Sequence, residues 1–490
     1  MQAHPAGTSS CQRADKAGLT APGGGHAEPV DRDYDLIVIG GGAAGLAAAQ
    51  AGAAARARTL LVAEGEIGGE CTFTGCVPSK TLIEAAARGA AFTEATAEVR
   101  RAVATIAATE TPAVLSRRGI EVLRGRAAFR SPREITVDGS VLRARGFVVA
   151  TGSRPAVPPV SGLAGVPYLT NENVFDLTCL PASLAILGAG AVGCELAQAF
   201  ARLGSQVTLI EAAPRLLPAA EPAVAEVLSQ VFAAEGITVR TGSAVETISS
   251  IPNGSGCLLR LHDSAEVAAA KLLVAAGRTP NTPDLGLASA GIRLDGRGAL
   301  VVDRTLATTA RGVYAAGDVT GLMPFTHAAY AMGRIAARNA LRKRRPPERF
   351  SPARIPWAVF TDPEVAQAGL TEEQAAAHVP GARVAYLPVG EVDRAVTAGR
   401  TAGFIKIIAG SRRLTGSIGG GRVLGATIVA ARAGDMIGEI ALAMRTGMFT
   451  GRLAQTTHVY PAWSLGIQQT AAQFFAGYGE RAARPAQVGK

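Results

Sequence analysis

Long apolar runs are missing from this sequence. None reaches the ~20 residues needed to span a bilayer, so no membrane span is expected. Cysteine is scarce: 6 among 490 residues, too few and too scattered for a disulfide framework. That points to a reducing cytoplasm in which Cys11, Cys179, Cys194 and Cys257 are ordinary thiols. Aromatic residues make up only 5%, which leaves few platforms for stacking bases. Dense charge of one sign is also absent. Lys and Arg outnumber Asp and Glu by 49 to 39, a net +10, but the basic residues are dispersed. The densest cluster is Arg342-Lys343-Arg344-Arg345. The surplus reads as a solvated surface, and no nucleic-acid partner is expected. Residues 1–32 are rich in Gly, Ala, Pro and Ser, lack the apolar core of a signal peptide and read as a disordered tail.

What is present is length enough for two to four domains, and glycine at set places. An apolar strand over residues 34–40 runs into Gly40-Gly41-Gly42-Ala43-Ala44-Gly45 and an Ala-rich helix to about residue 55. A second strand over residues 59–63 ends at Glu64, 24 positions after Gly40. Gly40 makes the turn, Gly42 lets backbone approach a pyrophosphate, and Gly45 lets helix pack on strand. The pyrophosphate rests on the helix N-terminus, and Glu64 accepts from a ribose. The pattern recurs: a strand over residues 184–187, Gly188-Ala189-Gly190-Ala191-Val192-Gly193, a helix over 194–203, and a strand ending at Glu211, 23 positions after Gly188. Two complete fingerprints imply two dinucleotides, and a flavin with a nicotinamide is the natural pair for redox work. Binding these anions also absorbs part of the basic surplus. An acid at Glu211 bonds a ribose 2′-OH and repels a 2′-phosphate, which favours NADH over NADPH; Arg215, four residues on, softens that preference.

Between the fingerprints lies the stretch 68–80, Gly-Gly-Glu-Cys-Thr-Phe-Thr-Gly-Cys-Val-Pro-Ser-Lys. Cys71 and Cys76 flank Gly75, which permits a turn tight enough for two sulfurs to meet. Residues 81–87 continue as a helix, so the cysteines sit at or just inside a helix N-terminus. There the free N–H groups and the dipole lower a thiol pKa from about 8.5 into the range ~3.5–7.5. Lys80 adds a positive charge one helical turn beyond Cys76. A metal pair is the other reading of two close cysteines, but it needs a second Cys or His pair, and none is spaced to supply one. A close low-pKa pair is what thiol–disulfide exchange uses: one sulfur attacks and the other resolves.

This motif resembles the active-site stretch of the FAD-dependent pyridine nucleotide–disulfide oxidoreductases, the family of lipoamide dehydrogenase, glutathione reductase and mercuric reductase. The resemblance extends from about residue 34 to about residue 475. Thr151-Gly152-Ser153-Arg154-Pro155 is similar to the family's exit from its first nucleotide domain, and Gly277-Arg278-Thr279-Pro280-Asn281 follows the strand that leaves the second. Gly317-Asp318 is similar to the return to the flavin, with Asp318 on the ribityl chain; a plain N-cap for the helix over 328–341 is the alternative. Residues 356–364 resemble the start of the family's dimerisation domain. The resemblance implies an α/β fold with two Rossmann-like dinucleotide-binding domains and a C-terminal α+β dimerisation domain. The parts are FAD-binding at 33–157 and 276–346, NAD(P)-binding at 158–275, and dimerisation at 347–490. It implies FAD and NAD(P)H as cofactors, with Gly40, Gly42, Gly45, Glu64, Lys80, Gly152 and Asp318 toward FAD. Gly188, Gly190, Gly193, Glu195, Glu211 and Gly277 lie toward the nicotinamide nucleotide. Cys76 is implied to be the sulfur nearer the flavin and Cys71 the exchange thiol; Lys80 lies near the flavin's reactive nitrogen and Glu195 near the nicotinamide.

One stretch departs from the family. In lipoamide and glutathione reductases a catalytic His precedes a proline and a Glu follows to orient it. Here Tyr460 precedes Pro461, and Leu465 takes the Glu position. His458, two residues earlier, points to the same side as Tyr460 if the segment is extended and could then serve in part; a structural hydrogen-bonding residue is the other reading, preferred on geometry. Tyr460 and His458 come from the partner subunit, so the expected homodimer shares its active site. A phenol without an oriented imidazole is closer to mercuric reductases, although the Cys pair that those carry at the C-terminus is absent from these 490 residues. The expected function is electron transfer from NADH through flavin and the cysteine pair to a small-molecule or soft-metal acceptor. A dihydrolipoyl dehydrogenase-like disulfide reductase and a redox sensor without turnover are the alternatives. No resident metal is expected.

Overall fold

The computed structural model describes residues 33–252, 256–342, 346–411, 416–475 and 478–487. The tail at 1–32 with Cys11, the basic residues 343–345, and residues 488–490 lie outside the described residues.

The first fingerprint lies within a mixed sheet. Its strands are β1 (Asp33–Ile39), β2 (Thr59–Ala63), β3 (Ile120–Arg124), β4 (Ala127–Ser131), β5 (Glu134–Val137) and β6 (Ser140–Val149). They run in the order β3-β2-β1-β6-β5-β4, and the strand Val313–Ala315 also pairs with β6. The β1, β2, β3, β6 and Val313–Ala315 pairings are parallel; β4 and β5 join as an antiparallel hairpin on β6. Parallel strands covered on both faces are apolar throughout, and β2 is buried at every position. Helix α1 (Ala43–Ala54) leaves the glycine turn. A Cβ on Gly45 would collide with Gly40 O, so the helix can lie this close to the strand end only with glycine there.

The second fingerprint repeats the device. Strands Thr238–Thr241, Gln206–Glu211, Ser183–Leu187 and Lys271–Val274 form a four-stranded parallel sheet in that order. Helix Ala191–Arg202 follows the glycine turn, and a Cβ on Gly193 would strike Gly188 O. The chain enters and leaves this unit through two short strands, Ser153–Pro155 and Arg278–Pro280, paired antiparallel. The third unit is a six-stranded sheet, Trp357–Val359, Glu364–Gly369, Arg422–Ala430, Phe404–Gly410, Arg383–Pro388 and Arg484–Pro485 in spatial order, packed under helix Ala433–Thr446. The loop expected near residues 411–422 includes 412–415, which lie outside the described residues.

The helix read over residues 81–87 reaches back to Cys76, so this cysteine sits at the helix N-terminus as expected, and a five-residue helix, Gly69–Phe73, precedes it. Asp318 is not an N-cap: helix Thr326–Leu341 starts eight residues later behind Phe325, and the Asp318 carboxylate accepts from Ser153 Oγ at 2.7 Å.

The second unit, which carries Glu211, is tied to the third by a buried ion chain. Lys406 Nζ pairs with Glu221 and, at 2.9 Å, with Glu372; Arg484 reaches Glu372 from the other side. Lys406 is 7% exposed and Glu221 2%. Such a chain is costly to break, because removing one partner strands a buried charge. Lys406→Met should therefore destabilise the protein by about 3–5 kcal/mol, seen as a lowered first transition in calorimetry. Adding Glu221→Gln should recover part of the loss. An unshifted transition in the single variant would show that the chain bears no load.

Candidate active site

The cysteine pair sits where two short helices meet. Cys71 lies inside α2 (Gly69–Phe73), and Cys76 is the first residue of α3 (Cys76–Ala87). The residue before α3 is Gly75, which supplies no side-chain cap, so Cys76 stands at an uncapped helix N-terminus, where the dipole favours an anion. Both cysteines are free thiols and half-buried. Thr326, the first residue of helix Thr326–Leu341, places its hydroxyl on both: Oγ1 is 3.2 Å from Cys76 Sγ and donates to Cys71 Sγ at 3.3 Å.

These contacts split the two thiols. The hydrogen bond from Cys71, the Lys80 charge and Thr326 draw the Cys76 thiol down to about 6, against burial and the Glu195 charge. Cys71 moves well above the ordinary thiol range, first through the same sulfur–sulfur hydrogen bond, then through burial. One proton is thus shared by the pair and rests on Cys71, leaving Cys76 as the thiolate.

Lys80 is held in place. Its Nζ donates to Glu195 Oε2 at 2.7 Å and lies 4.8 Å from the Phe360 ring centre. Glu195, 4% exposed, also accepts Phe360 N–H at 2.9 Å. The two expected site residues Lys80 and Glu195 are therefore in direct contact across two units.

A cavity of about 1100 Å³ opens beside the cysteines. It is lined by Gly40, Gly42, Glu64, Cys71, Cys76, Lys80, Gly152, Glu195 and Asp318, among others. A Cβ on Gly42 would meet nothing within 4 Å, so the backbone at the α1 N-terminus is bare toward the cavity, and α1 has no side-chain cap. An anionic phosphate group fits that end. Glu64 stands at the rim, 3.6 Å from Arg126. Volume, bare helix end and acids suit FAD with its pyrophosphate on α1.

The sequence reading missed three residues here. Arg278 donates from Nη1 to Glu70 at 2.8 Å and from Nε to Ser153 Oγ at 2.7 Å, and its Nε lies 3.5 Å from Asp318. Glu70 is also bonded by Asn171 Nδ2. Glu70 and Arg278 stood inside quoted motifs without an assigned role; Thr326 had no local signal at all, lying 250 positions from Cys76.

From the second fingerprint and its helix, Val192, Glu195 and Leu196 line this cavity, whereas Gly188, Gly190, Gly193, Glu211 and Gly277 do not. Glu211 accepts Ala189 N–H at 2.7 Å and Ala213 N–H at 2.8 Å. Arg215 is turned away onto backbone, donating to Pro218 O at 2.9 Å and Ala220 O at 3.3 Å.

The segment before Pro461 corrects an expectation. Residues 457–460 form no strand, so the alternation that would align His458 with Tyr460 does not apply. His458 turns inward: Nδ1 meets Thr456 O at 2.9 Å and Nε2 meets Glu439 at 3.1 Å. Both ring nitrogens are thus engaged within the chain. Tyr460 turns outward, 69% exposed, and its hydroxyl donates to Asp393 at 2.9 Å. That hydrogen bond and the Asp393 charge push the phenol above its ordinary range. Neither residue lines the cavity of its own chain.

Comparison with known proteins agrees with this geometry. Residues 34–333 match the family model described as pyridine nucleotide-disulphide oxidoreductase, and residues 355–471 match the dimerisation domain of the same family. The dihydrolipoyl dehydrogenase of Thermus scotoductus is 36% identical over 90% of this chain and 97% of its own. The mercuric reductase of Bacillus cereus is 32% identical over 89% of this chain and 70% of its own. Among solved structures, LpdA from Mycobacterium tuberculosis superposes with a TM-score of 0.81 at 33% identity, covering 90% of this chain and 100% of that one. The Cu(II) complex of the HOCl-induced flavoprotein disulfide reductase RclA from Escherichia coli superposes with a TM-score of 0.80 at 29% identity, covering 90% and 99%. The chain therefore belongs to the pyridine nucleotide–disulfide oxidoreductases, FAD-dependent enzymes that draw electrons from NAD(P)H.

Proposed function

We propose that this enzyme passes electrons from NADH to an acceptor that needs no imidazole base, with a soft metal ion foremost. The observation that carries this is the contrast between a poised sulfur pair and a closed base: Cys76 is ionised near neutrality, while His458 and Tyr460 are both committed to carboxylates. FAD, when bound, accepts hydride from the nicotinamide and supplies the electron pair that reduces the cysteines. Cys76 keeps its thiolate through Lys80 and Thr326, and Cys71 holds the shared proton and meets the acceptor. A disulfide acceptor would be cleaved by Cys71 sulfur, giving a mixed disulfide and one thiol; Cys76 would then close on Cys71 and release the second thiol. That route needs the Cys71 proton removed first, and neither His458 nor Tyr460, each bonded to a carboxylate of its own chain, stands ready to take it. A soft metal ion bridged by two sulfurs needs less help, since sulfur ligands select such ions. Mercuric reductases and the copper complex of RclA among the relatives accord with this reading.

The division into FAD-binding (33–157, 276–346), NAD(P)-binding (158–275) and dimerisation (347–490) parts belongs to the same proposal. So does a cytoplasmic homodimer whose subunits exchange the segment around residue 460. Val459 at 79%, Tyr460 at 69% and Leu442 at 57% exposure leave an apolar face for a second copy to cover. A sensor without turnover is separated by steady NADH consumption with soft metal ions and quinones.

The thiol assignment has a spectral test. In the partly reduced enzyme, thiolate donation to oxidised flavin gives a long-wavelength band. Its intensity should rise as pH climbs through about 6, because Cys76 ionises there. Cys76→Ser should abolish the band, Cys71→Ser should leave it permanently present, and Thr326→Val should move the midpoint upward. Loss of the band in Cys71→Ser with retention in Cys76→Ser would reverse the roles.

Nucleotide choice rests on Glu211, with Arg215 turned onto backbone. kcat/KM should be higher with NADH than with NADPH, and Glu211→Ala should narrow the ratio by about tenfold, the worth of one charge-assisted hydrogen bond. A native preference for NADPH would show that Arg215 swings out to take the phosphate.

The missing base can be restored. Tyr460→His with Leu465→Glu should raise turnover of lipoamide by up to about 10²–10⁴-fold, the usual worth of general acid–base help, and raise quinone turnover far less. Equal gains with both acceptors would sink the argument from Tyr460.

A further inference from the structure

The wall beside Cys71 carries a carboxylate that the electron route does not use. Thr72, the residue after Cys71 in α2, is 3% exposed, and its hydroxyl donates to Glu110 Oε2 at 3.1 Å. The same carboxylate stands against the glycine turn that leads into α2, where a Cβ on Gly68 would collide with it. Helix Thr326–Leu341 closes the site from the other side. Thr326 touches both sulfurs, and Tyr330, one turn further along the same face, is 37% exposed. Burial raises the Tyr330 phenol first, then the Glu110 and Cys71 charges; exposed Arg118 pulls it the other way. Glu110 also acts on Cys71 itself, raising that thiol. Cys71, Glu110 and Tyr330 therefore share one small region, with Arg118 on its outer side.

We propose that Glu110 selects acceptors by charge, setting a negative charge one residue from the exchange sulfur so that cationic and neutral acceptors reach Cys71 more readily than anionic ones. This rests on the reading of Cys71 as the sulfur that meets the acceptor. The protein's net charge of +10 would dictate the opposite order. Distant charges are screened beyond about 8 Å at physiological salt, whereas the Glu110 charge acts on Cys71 itself. In a half-solvated site it should shift the approach of an acceptor by roughly three- to tenfold per unit charge.

The full-length, FAD-loaded protein is reduced with excess NADH and alkylated with neutral iodoacetamide or anionic iodoacetate. The adduct on Cys71 is followed by peptide mass analysis. The ratio of the two rates cancels the ionised fraction of Cys71. Dividing by the same ratio for free N-acetylcysteinamide, which carries no carboxylate, removes the intrinsic reactivity of the two reagents. After that division, iodoacetate should be disfavoured on the native enzyme by roughly three- to tenfold. High salt should erase the bias, a check that needs no variant. Glu110→Gln should bring the ratio to that of N-acetylcysteinamide, and Glu110→Asp should keep the native bias. A native ratio equal to that of N-acetylcysteinamide, or one favouring iodoacetate, overturns the proposal, as does an unchanged ratio in Glu110→Gln.

Turnover of cystamine, hydroxyethyl disulfide and glutathione disulfide then separates the two readings. Turnover of all three without charge order overturns the role of Glu110 and leaves the exchange reading intact. The expected alkylation bias with no disulfide turned over supports Glu110 and removes the disulfide exchange route.

Discussion

A single proton shared by two sulfurs governs this site. Cys71 and Cys76 are close enough to hydrogen-bond, and the Thr326 hydroxyl bridges them. Because one sulfur holds the proton, the other is free to be an anion without a strong base nearby. The open end of α3 and Lys80 then decide which sulfur that is. Everything else in the catalytic region serves to bring these three elements together: the motif helices, Lys80 and the start of helix Thr326–Leu341.

The convergence requires three separate units to hold still. Glu195 is the clearest case, since one buried carboxylate takes Lys80 from the first unit and the Phe360 N–H from the third while standing on a helix of the second. Farther along that helix, Gln198 exchanges two hydrogen bonds with the backbone of Asp362, at 2.7 and 2.8 Å. The spacing of Glu195 and Gln198 puts both on one helix face. The helix face that holds Lys80 through Glu195 is thus the face that docks onto the third unit. Movement of the second unit and displacement of Glu195 from Lys80 are the same event.

Both glycine fingerprints were legible because their signals are local: an apolar strand, a turn that tolerates no Cβ at Gly45 or Gly193, and an acid at the next strand end. The cysteine pair was legible for the same reason. The rest of the site was not, because it is assembled over distance. Thr326 and Cys76 are separated by 250 positions, and Arg278 and Glu70 by 208. Nothing in either neighbourhood marks the meeting. Helix Gly69–Phe73 escaped notice because five residues carry too little periodicity. The structural reading of His458 agrees with its bonds to Thr456 and Glu439, whereas its alignment with Tyr460 was conditional on an extended segment, and no strand forms there.

The last described strand has its own consequence. Arg484–Pro485 pairs with Arg383 and Val384 and so occupies the outer rim of the six-stranded sheet. Proline there offers no N–H to a further strand, and Arg484 is held by Glu372. A rim closed in this way cannot template the stacking of a second molecule strand upon strand. The small terminal ladder thus guards the purity of assembly: copies of the chain can meet face to face, but this side of the sheet is denied to fibre growth.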